Sequence, residues 1–222
     1  MLKTIYSTII ILFICGCNNG KNKKFEGTVT YKVSVVGLTE DVEYNTFNKE
    51  KYGETMKLTI NAEGDIRRDY LKTGNHGYDY FIYKQKENKC YAKFHGHDTI
   101  IYADCSDNSL IFEKSDTLEN EIINGKDCKG FYVTGTEVKG GGKVTLSYFY
   151  PEDNEFIDPE LYKNYHDYFN DLSAQKMKGL YYKLVMDFGD YMVAYEIKNI
   201  ESKTIDKKVF ELPQNVILKK IN

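Results

Sequence analysis

The chain has 222 residues and a formal net charge of −3, from 30 basic and 33 acidic side chains. So near a balance gives no electrostatic case for a nucleic-acid partner, and the length suits one domain with a sizeable core. Twenty tyrosines, twelve phenylalanines, three prolines and no tryptophan weight the composition toward strands, and no long-period repeat suggests a solenoid or propeller.

The chain opens with Lys3, an apolar run over Ile5 to Cys15, and a small residue, Gly16, before Cys17. That is the layout of an export signal, and the apolar run is too short for a permanent membrane span. Ile14-Cys15-Gly16-Cys17 resembles the lipobox of bacterial lipoproteins. The resemblance implies removal of the signal peptide (residues 1–16) and lipid attachment at Cys17. It also implies a lipid-anchored protein of the bacterial cell envelope, because several acyl chains on one residue make a firm anchor. Residues 17–24, rich in Asn and Lys, read as a tether, and residues 25–222 as a single β-rich domain.

Phe25 to Val35 alternates apolar and polar residues, the mark of a half-buried antiparallel strand. Met56, Leu58 and Ile60 repeat the pattern, and Ala62 to Asp65 turns the chain into a strand over Ile66 to Leu71. A turn at Gly74 to Gly77 leads to an aromatic strand, Tyr78 to Tyr83. Lys89 to Phe94 and Thr99 to Cys105 flank a turn at His95 to Asp98. Ile122 to Thr134 carries another strand, with Asn124-Gly125 as a turn or bulge, and Gly140 to Gly142 leads into Val144 to Tyr150.

Asp158-Pro159-Glu160 then reads as a helix N-cap followed by proline at the first helical position. Leu161, Tyr165, Tyr168 or Phe169, and Leu172 predict one amphipathic helix of about three to four turns. Strands resume at Leu180 to Phe188 and Tyr191 to Ile200, then Val209 to Pro213 and a short last strand near Val216 to Leu218. The expected fold is mainly β with one late helix (α+β): an antiparallel curved sheet or open half-barrel, whose concave side gives the helix an apolar surface to cover.

Five stretches carry a family likeness: Phe25 to Tyr31, Ile123 to Cys128, Tyr148 to Pro151, Lys178 to Leu180, and Phe210 to Pro213. In this order they resemble the GLPGLI-type and related lipoproteins of Bacteroidota, whose fold is similar to the outer-membrane lipoprotein carrier LolA. The resemblance implies a LolA-like half-barrel with a helical lid and carries no defined activity. Absence of an acidic run after Cys17, set beside export signals of that phylum, implies an outer-membrane position facing the periplasm.

Cys90, Cys105 and Cys128 would lie in an oxidising compartment after export. A hairpin centred between His97 and Asp98 puts Cys90 opposite Cys105, which favours a Cys90–Cys105 disulfide, with Cys105–Cys128 as the alternative. His95 and His97 have metal-ligand spacing but sit at a turn with no third ligand, so no metal is expected. Gly140 to Lys143 lacks the spacing and the following helix of a phosphate loop. No nucleophile elbow or singled-out carboxylate pair appears, so the expectation is a non-enzyme without cofactor. Leu161, Tyr165, Phe169 and Leu172 on the helix, with Leu180, Tyr182, Leu184, Met186 and Phe188 on the following strand, form a candidate apolar ligand face. The ligand would be a lipid or a lipoprotein tail. The competing expectation is a structural or interaction module whose core is closed and whose protein partner is unknown.

Overall fold

The structure is a computed structural model that describes residues 23–221. The signal peptide, the lipid-attachment site Cys17 and most of the tether therefore lie outside the described residues. Lys24, at the end of the expected tether, pairs with Asp158 at 2.7 Å.

Twelve strands form one sheet. In chain order they are β1 (Gly27–Gly37), β2 (Thr55–Ile60), β3 (Ile66–Leu71), β4 (Tyr78–Lys84), β5 (Lys89–Phe94) and β6 (Thr99–Asp104). They continue as β7 (Leu110–Ile123), β8 (Lys126–Glu137), β9 (Lys143–Pro151), β10 (Lys183–Asp187), β11 (Tyr191–Ser202) and β12 (Ile217–Lys220). The spatial order is β12-β6-β5-β4-β3-β2-β1-β11-β10-β9-β8-β7, so β12 and β7 are edges and the sheet stays open. Every pairing is antiparallel except β12 on β6. This is the mainly β, open curved sheet expected from the alternation.

The alternation of β1 holds: Val29, Tyr31 and Val33 are buried, and Lys32 and Ser34 are exposed. A register shift between Thr30 and Tyr31 against β11 adds local bend to the sheet. Asn124 and Gly125, both at positive φ, make the two-residue turn between β7 and β8. Such turns match the right-handed twist of the flanking strands.

The structure departs from the sequence reading at several places; β7, for one, begins at Leu110 rather than Ile122. A helix, α1 (Val42–Tyr52), stands between β1 and β2; Asp41 caps it by accepting from the Tyr44 N–H at 2.9 Å. Its polar composition leaves only Asn48 and Tyr52 buried, too weak a stripe for periodicity to find. The segment expected as one long helix is broken. A 3₁₀ turn over Pro159–Tyr162, with the expected Asp158 cap, is separated from α2 (Asn170–Met177) by Tyr168 and Phe169, both at positive φ. Val209 to Pro213 is not a strand: a 3₁₀ turn over Lys207–Phe210 lays Ile205 and Phe210 on Ile82, Tyr91 and Ile100 to form a second small core. Finally, the β5–β6 hairpin pairs Cys90 with Ala103 rather than with Cys105. A slip of two residues preserves the faces, so the cysteines still share a side.

The main core lies on the concave side, where the inward residues of β1, β2, β9, β10 and β11 share one cluster with Tyr162, Tyr165 and Phe169 of the lid. Ile197 lies in the centre of this layer with 2% of its surface exposed, whereas Val36 is 50% exposed. Ile197→Ala is expected to lower unfolding stability by about 2–5 kcal/mol, while Val36→Ala stays within about 0.5 kcal/mol; urea titrations of both variants check this.

Candidate functional site

The lid is the 3₁₀ turn, the break and α2, and it spans the concave face. Its centre is tied down where the chain leaves β6. The His166 N–H donates to the Cys105 carbonyl at 2.9 Å, and the Tyr168 N–H donates to Asn108 Oδ1 at 3.0 Å. Asp167 Oδ1 accepts from the Ser109 N–H at 3.1 Å, and Asn88 Nδ2 donates to the Asn164 carbonyl at 2.9 Å. Tyr165 adds a ring contact, stacked on Tyr83 of β4 with centroids 4.0 Å apart and planes within 10°.

Between lid and sheet the packing is incomplete. A cavity of about 320 Å³ has a floor running from β4 through β3, β2, β11 and β10 to β9, with Tyr165, Tyr168 and Asn170 above it and Lys51 and Tyr52 of α1 beside it. A smaller lobe of about 80 Å³ lies under α2 and the 3₁₀ turn, reaching Tyr162, Ala174, Met177 and Leu180. Arg68, Tyr148, Tyr165, Asn170, Tyr181 and Leu184 line both.

The candidate ligand face divides accordingly. Tyr165, Leu184, Met186 and Phe188 line the larger lobe, and Tyr165, Leu180 and Leu184 the smaller. Phe169 and Leu172 instead border a shallow outer groove with Phe112 of β7, because the break at Tyr168 and Phe169 turns α2 away from the phase a continuous helix would have. Leu161 packs against Gly64. Tyr182 lines neither lobe: regular β10 begins only at Lys183, and Tyr181 takes the inward place, stacked on Tyr31 at 4.8 Å.

The cavity wall is aromatic but not purely apolar, since nine of its residues are tyrosines. Tyr31 donates to the Tyr181 carbonyl at 2.9 Å, and the Tyr52 and Tyr191 hydroxyls meet at 3.3 Å. Burial raises these phenols, that of Tyr148 to about 12, so they remain protonated donors at neutral pH. Burial lowers the Lys51 ammonium, which lies 5.3 Å from the Tyr52 ring centre and 5.6 Å from that of Tyr78.

Sequence reasoning passed over Arg68, the most unusual residue of the wall. In β3, Ile66, Arg68 and Tyr70 share the inward face, and Arg67 and Asp69 pair with each other outside at 2.8 Å. An arginine in phase with inward apolar residues is visible in the alternation once β3 is placed. Burial works against its charge, but the electrostatic influence of the surrounding Tyr165, Tyr181, Tyr70 and Tyr195, acting without a hydrogen bond, holds the group above its ordinary value. Arg68 therefore stays cationic.

The remaining candidates fall elsewhere. Cys90 and Cys105 Sγ atoms are 2.7 Å apart, and Cys90 Sγ lies 3.5 Å from the Tyr165 hydroxyl. Cys128 Sγ lies instead by the Lys126 carbonyl, at 3.6 Å. His95 Nδ1 meets Asp79 at 3.0 Å on the surface, and no cluster able to hold a metal occurs among the described residues. No helix among them is long and apolar enough to cross a membrane.

No protein-family model matches the chain, and no curated protein matches its sequence. The GLPGLI-type likeness thus rests on the five motifs alone. Among solved structures the chain is similar to lipoprotein LppX of Mycobacterium tuberculosis, at 8% identity and a TM-score of 0.37 over 82% of this chain and 89% of that one. It is also similar to LprF of Mycobacterium bovis, at 13% identity and a TM-score of 0.37 over 81% of this chain and 88% of that one. Likeness at this level carries no function across.

Asn108 Oδ1 also accepts from the Leu110 N–H at 3.0 Å, so one side chain serves both the start of β7 and the lid break. Asn108→Ala is expected to cost about 1–3 kcal/mol and to speed hydrogen exchange at the amides of residues 165–170 more than at those of β1.

Proposed function

We propose that the chain is a lipid-anchored envelope lipoprotein that binds an apolar or amphipathic molecule between its curved sheet and its lid, either to hold it or to pass it on. The carrying observation is the pair of adjoining lobes under the lid, whose combined size is near the lower end of small-molecule sites, about 300–1,000 Å³. Leu184, Met186, Phe188 and Leu180 supply apolar wall, and the lid's backbone bonds to Cys105 and Asn108 are few enough to open without disturbing the sheet. The alternative, an interaction module with a closed core, would have its lid packed down on the β10 and β11 side chains; the space above Leu184 and Met186 favours binding. The lipobox resemblance at Cys17 supports the anchor and the envelope location. The absence of a catalytic constellation from the sequence motifs supports binding rather than catalysis.

Native mass spectrometry of the full chain, extracted gently from its host envelope, tests this reading. The expected result is a retained amphiphile mass that disappears in Leu184→Asp while the circular dichroism is unchanged. A bare protein mass, with no displacement of a fluorescent fatty acid from the wild type, would overturn it.

The same reading puts the domain in an oxidising compartment, where Cys90 and Cys105 would join and tie the start of β5 to the segment that anchors the lid. Peptide mapping without reduction should find Cys90 linked to Cys105 and Cys128 as a free thiol; a Cys105–Cys128 link would contradict this.

A further inference from the structure

We infer that the ligand is a small single-chain anion whose carboxylate or phosphate group enters first and binds Arg68, where the two lobes meet, and the Tyr162 hydroxyl in the wall of the smaller lobe. This rests on the binding reading above and adds ligand class and orientation.

Two donors without a described hydrogen bond line the smaller lobe. Arg68 lines both lobes, and its one described side-chain contact is with the Phe81 ring, 5.0 Å from the guanidinium carbon. Among the described residues it makes no ion pair, so its charge, half-buried at the cavity wall, has no counter-ion. Tyr162 is 4% exposed, lines the smaller lobe, and its hydroxyl has no hydrogen-bond partner. A half-buried cation without a counter-ion and, close by in the wall of the smaller lobe, a buried hydroxyl without a partner are complementary to a group with several acceptor oxygens and a negative charge. Water could satisfy the hydroxyl but would leave the guanidinium's charge uncompensated.

The other charges set the orientation. Lys51, Glu137 and Asp167 line only the larger lobe. Two carboxylates there disfavour a second anionic group, so the part of the ligand that follows is neutral and lies against Leu184, Met186 and the tyrosine rings. Volume restricts that part to one short chain or ring system, since the lobes together are at the lower limit of ligand sites. A diacyl lipid does not fit within them.

Titration calorimetry of the wild-type chain with decanoate, decyl phosphate and decanol separates the possibilities. The expected result is that one or both anions bind at least tenfold more tightly than decanol, as charge-assisted hydrogen bonds to a buried donor provide. Which anion binds tighter distinguishes a carboxylate from a phosphate ligand. Arg68→Met should remove that advantage and leave decanol within about threefold of its wild-type affinity. Tyr162→Phe removes an unpartnered hydroxyl, so it should fold as well as the wild type yet weaken the anions severalfold; it serves as the test if Arg68→Met does not fold. Equal binding of anions and alcohol would overturn the anion inference while keeping the apolar site. Binding of none of the three would overturn both.

Discussion

The constraint on which this structure depends is that its sheet does not close. A sheet of twelve strands with β12 and β7 at opposite edges leaves a concave face of apolar and aromatic side chains that no further strand covers. Something must exclude water from that face, and the chain supplies the segment between β9 and β10. Because the segment crosses a wide curved floor, it cannot follow it as one straight helix. Its break at Tyr168 and Phe169 places two non-glycine residues in the left-handed region, each at a cost of about 1–3 kcal/mol. The surroundings hold this conformation through Asn108, Ser109 and Cys105, whose polar groups are bonded directly to the lid.

This arrangement explains why the interior holds space. On the convex side the 3₁₀ turn at Lys207–Phe210 fits Ile205 and Phe210 between the strands and forms a filled core. On the concave side the lid touches the floor through Tyr165 on Tyr83 and through Tyr162, but between these contacts and α1 the floor stays uncovered. Tyrosine dominates the wall for a physical reason: a ring offers apolar area on its face, and its hydroxyl can pair with another hydroxyl or a carbonyl. Such a wall tolerates both an apolar chain and ordered water. Arg68 is the one cationic side chain that lines both lobes.

The two ends of the sheet differ in the same manner. β7 is largely exposed along its length, Ile111, Phe112 and Ile122 included. Its partner β8 is mostly buried, and the tight Asn124-Gly125 turn joins them into a long ribbon. β12 closes the other end by adding parallel to β6, with its side chains exposed. Neither edge strand contributes a side chain to the cavity wall.

The sequence by itself determined most of the strands, because alternation of apolar and polar residues is a local property of an antiparallel sheet with one wet face; β1, β3, β5 and β9 lie where the pattern placed them. It determined the Asp158-Pro159 start of the lid for the same reason, since capping needs only neighbouring residues. It did not reveal α1, whose stripe is too weak, or most of β7, which as an exposed edge has no buried face to produce alternation. Tertiary structure alone decided where the lid breaks, since the strain at Tyr168 and Phe169 is tolerated only against the loop at Asn108. It also decided the site. Leu184, Met186 and Tyr165 were legible as apolar and inward, but Phe169 and Leu172 left the cavity when the helix broke, and Tyr181 replaced Tyr182 when the strand began late. Arg68 came to line the cavity only when the six strands of the floor curved together, a fact that no local pattern holds.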